Sequence, residues 1–132
     1  MGYYILNGNI HNADHPDMLS TGKASAQYSK WKVKIERLSA GDVIFLYHND
    51  HGIVALGDAD GILNTAPING VSDEEYYMTL RRYTTLINPI PFKKINNIIS
   101  TNCNVRGTLN ALPDDSGKAI LKYIYNPSNG VL

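Results

Sequence analysis

The sequence predicts an α+β domain with a small curved or barrel-like mixed β-sheet flanked by helices. Two observations indicate this class: short β-branched and aromatic runs are separated by hairpin turns, and one main helical pattern lies among them. At 132 residues the chain is long enough to bury a core without disulfides or metals. We therefore expect residues 1–132 to form a single domain.

The first half of the chain is expected to hold a strand, a helix and a hairpin. Residues 3–6 predict a strand that ends in a turn at Asn7-Gly8-Asn9. Residues 23–38 predict a helix that Ser25 would cap, although Val33 lies off its apolar face and leaves an extended conformation open for part of it. The positions at helical spacing are Ala24, Tyr28, Trp31, Ile35 and Leu38.

The clearest strand covers residues 43–47, which are apolar throughout and therefore expected to be buried on both faces. A turn over residues 48–52 and a returning strand over residues 53–57 complete a hairpin. Asp42, directly before the hairpin, is expected to accept hydrogen bonds from backbone N–H groups of the preceding turn.

In the second half we expect a loop over residues 62–72, and then a long strand over residues 75–87 that Asn88-Pro89 interrupts. A helical turn over residues 94–99, an irregular segment over residues 102–113 and a short helix over residues 117–125 follow.

The composition restricts the class of protein. Hydrophobic residues make up 43% and charged residues 18% of the chain, which is typical of a globular protein. The formal net charge of +0 argues against nucleic-acid binding through bulk positive charge, but it is compatible with a small basic patch. The single cysteine, Cys103, excludes an internal disulfide and a cysteine-based zinc site. Because the sequence shows neither a membrane-length apolar run nor a signal-like N-terminus, we expect a soluble cytoplasmic protein without a membrane partner.

The chain resembles the EVE domain, a member of the PUA-like superfamily that also includes YTH and ASCH domains. The resemblance depends on Gly41-Asp42 before a strand that ends in Tyr47-His48, and on the returning Gly52-Ile53-Val54. Asn88-Pro89-Ile90 after the long strand adds to it, so that the similarity spans about residues 3–95. It implies a PUA-like fold.

The resemblance also implies a function, which is recognition of a modified base, expected to be methylated, in a pocket lined by aromatic side chains. DNA is favoured over RNA as the partner, and a nuclease or ATPase partner is implied because some EVE domains belong to McrB-type restriction systems. The residues expected to form the base pocket are Trp31, Tyr28, Asn7, Ser25 and Asn9, and those expected to contact phosphates are Lys30, Lys32 and Arg81.

Each of these residues also has a purely structural interpretation. Trp31 could be a core side chain, and Asn7 and Asn9 could serve only the turn between them. An arginine of the long strand could form a salt bridge with an acidic residue at the start of that strand, which carries Asp73, Glu74 and Glu75.

No cofactor or metal is expected, because the histidines lie in two polar loops, His11 with His15 and His48 with His51. The sequence has no standard catalytic motif. Two alternatives stay open: a module that binds modified RNA, and an ASCH-like amidohydrolase that acts on modified nucleosides. The enzyme would need a lysine, a threonine and an acid together in the pocket, and Thr21 and Lys23 are candidates for the first two.

Overall fold

A computed structural model of the chain describes residues 2–7, 21–27, 33–68, 70–99, 104–105 and 107–132. Among these described residues, α1 (Phe92–Ile99) and α2 (Asp114–Tyr125) are α-helices, and short 3-10 helices cover Val33–Arg37 and Pro127–Asn129. The strands are β1 (Tyr3–Asn7), β2 (Lys23–Gln27), β3 (Val43–His48), β4 (Gly52–Ala59), β5 (Asn64–Ile68), β6 (Val71–Ile90) and β7 (Leu109–Leu112).

These strands form one mixed sheet in the order β2-β6-β4-β3-β1-β7, and β5 pairs with β6 outside this path. The strands β1 and β3 run parallel, with Tyr3 opposite Val43, and the other neighbours are antiparallel. The sheet curls into a half-barrel, which confirms the predicted α+β class with a small curved mixed sheet.

The sheet buries apolar side chains on both faces, because successive strand residues point to opposite sides. The helix-side core lies between the sheet and the two α-helices, and it includes Ile5, Phe45, Leu86, Ile90, Ile95, Ile120 and Ile124. The inner core lies on the opposite face, around which the sheet curls, and it includes Leu6, Ala24, Ala26, Ile35, Ile44, Leu46, Met78 and Leu80. Residues of β3 alternate between the two cores, so the predicted burial of this strand on both faces is confirmed.

The 20-residue strand β6 contributes to both cores. Part-way along it, the alternate side chains that point to one side of the sheet switch to the other side. In its pairing with β4, Arg81 lies opposite Asp58 while Thr84 lies opposite Leu56. Two residues of β6 therefore oppose Gly57 alone, which is a β-bulge. The bulge places Leu80 in the inner core but Leu86 in the helix-side core.

The predicted helix over residues 23–38 is wrong at its start. Residues Lys23–Gln27 form strand β2, and in the described remainder of this stretch, residues 33–38, Val33–Arg37 form a 3-10 turn. The physical reason is a two-residue alternation that the helical spacing concealed: Ala24 and Ala26 enter the inner core while Ser25 between them faces the other way. Ser25 lies in the middle of β2 and caps no helix.

Two further corrections concern short strands. The expected loop over residues 62–72 contains β5, which pairs back onto β6 through a tight turn with Ile68 opposite Val71, and Pro67 is tolerated because β5 lies at an edge. The expected irregular segment over residues 102–113 contains β7, which pairs with β1. The long strand also continues through Pro89 to Ile90.

The remaining elements are confirmed: β1, the β3–β4 hairpin, the helix at residues 92–99 and the helix at residues 114–125. The interpretation of Asp42 is confirmed as well. Its carboxylate accepts hydrogen bonds from the Gly2 N–H at 2.7 Å and the Ser39 N–H at 2.8 Å, and it thereby ties the chain before β1 to the turn before β3.

We expect Gly57→Ala to destabilise the fold by about 1–3 kcal/mol, because overpacking a close contact costs energy of this order. An added Cβ would lie 2.8 Å from Leu80 Cβ and 3.2 Å from the Arg81 carbonyl oxygen, directly opposite the bulge. Urea denaturation measures the change. As a control, Ala111→Val adds methyl groups at an exposed strand position and should change stability by less than about 0.5 kcal/mol. Equal effects of the two variants would contradict the close contact.

Candidate functional site

The outer face of β2 and of the N-terminal half of β6, opposite the inner core, carries polar side chains. Ser25 lies directly across from Tyr77 and Lys23 directly across from Thr79, whereas the alternate pair Ala24 and Met78 points into the inner core. In an antiparallel pair, directly opposite residues share a face. The pairing of β2 on β6 therefore brings these polar side chains together.

The polar contacts on this face converge on Glu75. Ser25 Oγ donates a hydrogen bond to Glu75 Oε2 at 2.5 Å, and Lys23 Nζ lies 2.8 Å from the same oxygen. Lys23 Nζ also lies 4.5 Å from the ring centroid of Tyr77. We call Lys23, Ser25, Glu75 and Tyr77 the Glu75 cluster.

The burial of the Glu75 cluster makes it a candidate site. Ser25 is 3% and Glu75 4% exposed, while the Lys23 side chain keeps 17% of its surface open to solvent. Removing a carboxylate from water is costly unless it is paired, and a buried ion pair adds little net stability over apolar packing. Buried ionisable groups held in this way are common at functional sites, where burial and charge partners are arranged for chemistry. Lys23 and Tyr77 are the partly exposed members of the cluster that a ligand can reach.

A pair of arginines lies further along β6, at the bulge. Arg82 has a backbone φ of 52° and donates from Nε to Asp58 Oδ2 at 2.6 Å, with Nη2 bonded to the same oxygen. This hydrogen bond, and then the charge of Asp58, raises the pKa of Arg82 above its ordinary value. The interpretation that an arginine here pairs with Asp73, Glu74 or Glu75 is wrong, because Asp58 on β4 is the partner.

Asn7 ends β1 and is buried. Its Nδ2 donates to Asn49 Oδ1 at 2.8 Å and to the Val105 carbonyl at 2.9 Å, while its N–H donates to the Thr108 carbonyl at 2.9 Å. Asn7 thus joins β1 to the β3–β4 turn and to the segment before β7. The sheet order places three strands between β1 and β2, so Asn7 and Ser25 occupy different parts of the sheet.

The aromatic walls predicted for the base pocket, Tyr28 and Trp31, lie outside the described residues, and so do Asn9, Lys30 and Lys32. Their roles stay predictions. His11 and His15 also lie outside, and within the described ranges no three His, Cys, Asp or Glu side chains are grouped to hold a metal ion. Among the helices that the structure describes, none is long and apolar enough to span a bilayer.

Glu75 is one of the site residues that the sequence did not identify. The only signal was its place two residues before Tyr77 at the start of a strand with alternating polarity. That signal could not show that Ser25 and Lys23 are its partners, because their segment was assigned to a helix.

Comparison with known proteins identifies the fold. No family model and no curated protein matches the sequence. Among solved structures, ASCH from Zymomonas mobilis matches with a TM-score of 0.60 at 9% identity, covering 92% of this chain and 94% of that one. The N-terminal domain of Thermococcus gammatolerans McrB bound to m5C DNA matches with a TM-score of 0.54 at 14% identity, covering 96% and 100%.

The chain has the PUA-like fold. A protein from Pseudomonas syringae matches as well, with a TM-score of 0.57 at 13% identity and coverage of 91% and 97%. The matches to ASCH and to the McrB domain confirm the PUA-like fold that the EVE-domain resemblance implied. The Glu75 cluster therefore lies on two paired strands of a PUA-like sheet.

In this PUA-like domain we expect Glu75→Ala to be more destabilising than Ser25→Ala. Glu75→Ala removes the acceptor that Lys23 and Ser25 share, at a cost of about 1–3 kcal/mol or more, whereas Ser25→Ala leaves the Lys23–Glu75 contact in place and removes the hydrogen bond to Glu75, worth about 0.5–1.5 kcal/mol. Thr79→Ala, at an exposed position on the same face, is the control. Chemical denaturation of the three variants gives the order, and a loss for Ser25→Ala at least as large as for Glu75→Ala would contradict Glu75 as the centre of the cluster.

Proposed function

We propose that this PUA-like domain binds nucleic acid and recognises a modified base, namely a methylated base in DNA. The polar edge of that base contacts the Glu75 cluster. The observation that carries the proposal is the buried contact of Ser25 and Lys23, on β2, with Glu75 on β6. Tyr28 follows β2 directly in the sequence. The likeness of the fold to a McrB domain that binds m5C DNA supports it.

The energetics of base recognition suit such a site. A base taken out of a duplex loses stacking worth a few kcal/mol, and stacking on aromatic side chains returns about 1–3 kcal/mol per base. Tyr28 and Trp31 are proposed to supply that stacking. Hydrogen bonds from Lys23, Ser25 and Glu75 then discriminate among bases, because a wrong base would leave buried polar groups unpaired.

The proposal places specificity in one pocket, in keeping with a formal net charge of +0. We include in the proposal a nuclease or ATPase partner, which acts on the nucleic acid that this domain binds. The McrB match is itself one domain of a longer protein.

A second candidate function is hydrolysis of an amide on a modified nucleoside. The specific observation in its favour is that the structure places an acid, Glu75, in contact with both the Lys23 ammonium and a hydroxyl, here from Ser25 in place of a threonine. A hydroxyl bonded to a carboxylate is the arrangement of a nucleophile and its general base, and an ammonium beside them can stabilise the developing oxyanion.

We expect tighter binding to oligonucleotides that carry one methylated base than to the same sequence without it. The measurement is fluorescence anisotropy over a panel in which only that base differs. Of Trp31→Ala and Tyr28→Ala, a variant that loses base stacking should bind about 1–3 kcal/mol more weakly with an unchanged circular dichroism spectrum. Lys118→Ala, exposed on α2, is the control. Equal affinity across the panel would contradict base recognition.

We expect no turnover of free modified nucleosides. Incubation with N-acylated and N-methylated nucleosides, followed by chromatography, tests this directly. A new product that the wild-type protein forms and that Glu75→Gln does not form would replace the binding function with the hydrolytic one.

A further inference from the structure

The polar stripe of the outer face extends beyond the Glu75 cluster to the bulge of β6. Before the bulge, residues 77, 79 and 81 share one face, because Met78 and Leu80 both point into the inner core. Arg81 is therefore on the same face as the Glu75 cluster. It lies two residues, or about 7 Å, beyond Thr79, which is the residue opposite Lys23.

The bulge also turns Arg82 outward, so that two consecutive strand residues are exposed. Without the extra residue, Arg82 would point toward the inner core. The bulged position is unusual for an arginine, since a positive φ disfavours side chains with a Cβ. Bulges commonly redirect side chains next to binding sites.

The charges on this face are unequally neutralised. Lys23 contacts Glu75, and Arg82 contacts Asp58 through two of its nitrogens. Within the described part of the chain, no carboxylate forms an ion pair with Arg81, although Asp58 lies directly opposite it across the β4–β6 pairing. Arg82 thus bonds one oxygen, Oδ2, of the carboxylate that lies directly opposite Arg81.

We infer that Arg81 contacts a backbone phosphate next to the base held at the Glu75 cluster, and that Arg82 is a positioning residue that keeps Asp58 away from Arg81. The nucleic-acid strand then follows the outer face of β6 from Glu75 toward the bulge. Ser25 lies opposite Tyr77, four residues or about 13 Å from Arg81, so the contact is to a neighbouring nucleotide of the same strand. This inference rests on the proposed function.

The test is a set of variants at the bulge: Arg81→Ala, Arg82→Ala, Asp58→Asn, and Arg82→Ala combined with Asp58→Asn. The probe is labelled single-stranded DNA with one methylated base, 5-methylcytosine or N6-methyladenine, and the readout is affinity between about 50 and 200 mM salt. The slope of log affinity against log salt reports the number of phosphates neutralised. A residue with only a structural role would leave that slope unchanged.

We expect Arg81→Ala to weaken binding about three- to tenfold and to reduce the magnitude of the salt slope by about 0.7. Arg82→Ala should produce a similar loss, because Asp58 is then free to pair with Arg81. The double variant should recover affinity and slope, since it removes that carboxylate charge. Asp58→Asn alone should bind at least as well as the wild type.

The outcomes separate two failures. If the wild-type protein binds the methylated DNA but Arg81→Ala keeps the wild-type slope, or if the double variant does not recover, the inference about the bulge is overturned and the proposed function stands. If the wild-type protein binds neither the 5-methylcytosine nor the N6-methyladenine oligonucleotide, the proposed function itself is overturned.

Discussion

The β-bulge opposite Gly57 is the constraint on which the rest of the structure depends. A strand of 20 residues with uninterrupted alternation would present one apolar face throughout, whereas β6 must serve the inner core at Leu80 and the helix-side core at Leu86. One extra residue reverses the alternation and reconciles the two demands. The absence of a Cβ at Gly57 permits the close approach that this reversal requires.

The same reversal fixes what lies on the outer face. Before the bulge, the residues that point away from the inner core are polar, and pairing with β2 adds Lys23 and Ser25 to them. Ser25 and Glu75 are nonetheless buried, so the polar groups satisfy one another. A face of this kind combines hydrogen-bonding groups with limited access to water, which strengthens interactions with a polar ligand.

The sequence predicted the parts of the fold that strong local patterns dictate: β1, the β3–β4 hairpin, the cap at Asp42 and both helices. It failed where long-range pairing decides. Strand β2 is made of small and polar residues whose period matched a helix, and β5 and β7 are short segments that exist only because β6 and β1 pair with them. Glu75 and Asp58 were missed for the same reason, since their partners lie 50 and 24 positions away along the chain.

Binding at the Glu75 cluster is tested most directly by a map of backbone amide chemical shifts during titration of the isotope-labelled protein with DNA that carries a methylated base. We expect the largest changes on β2 and on the part of β6 from Glu75 to Arg82. Changes confined to α1, α2 and β7, the strand at the opposite end of the sheet from β2, would contradict binding at the Glu75 cluster.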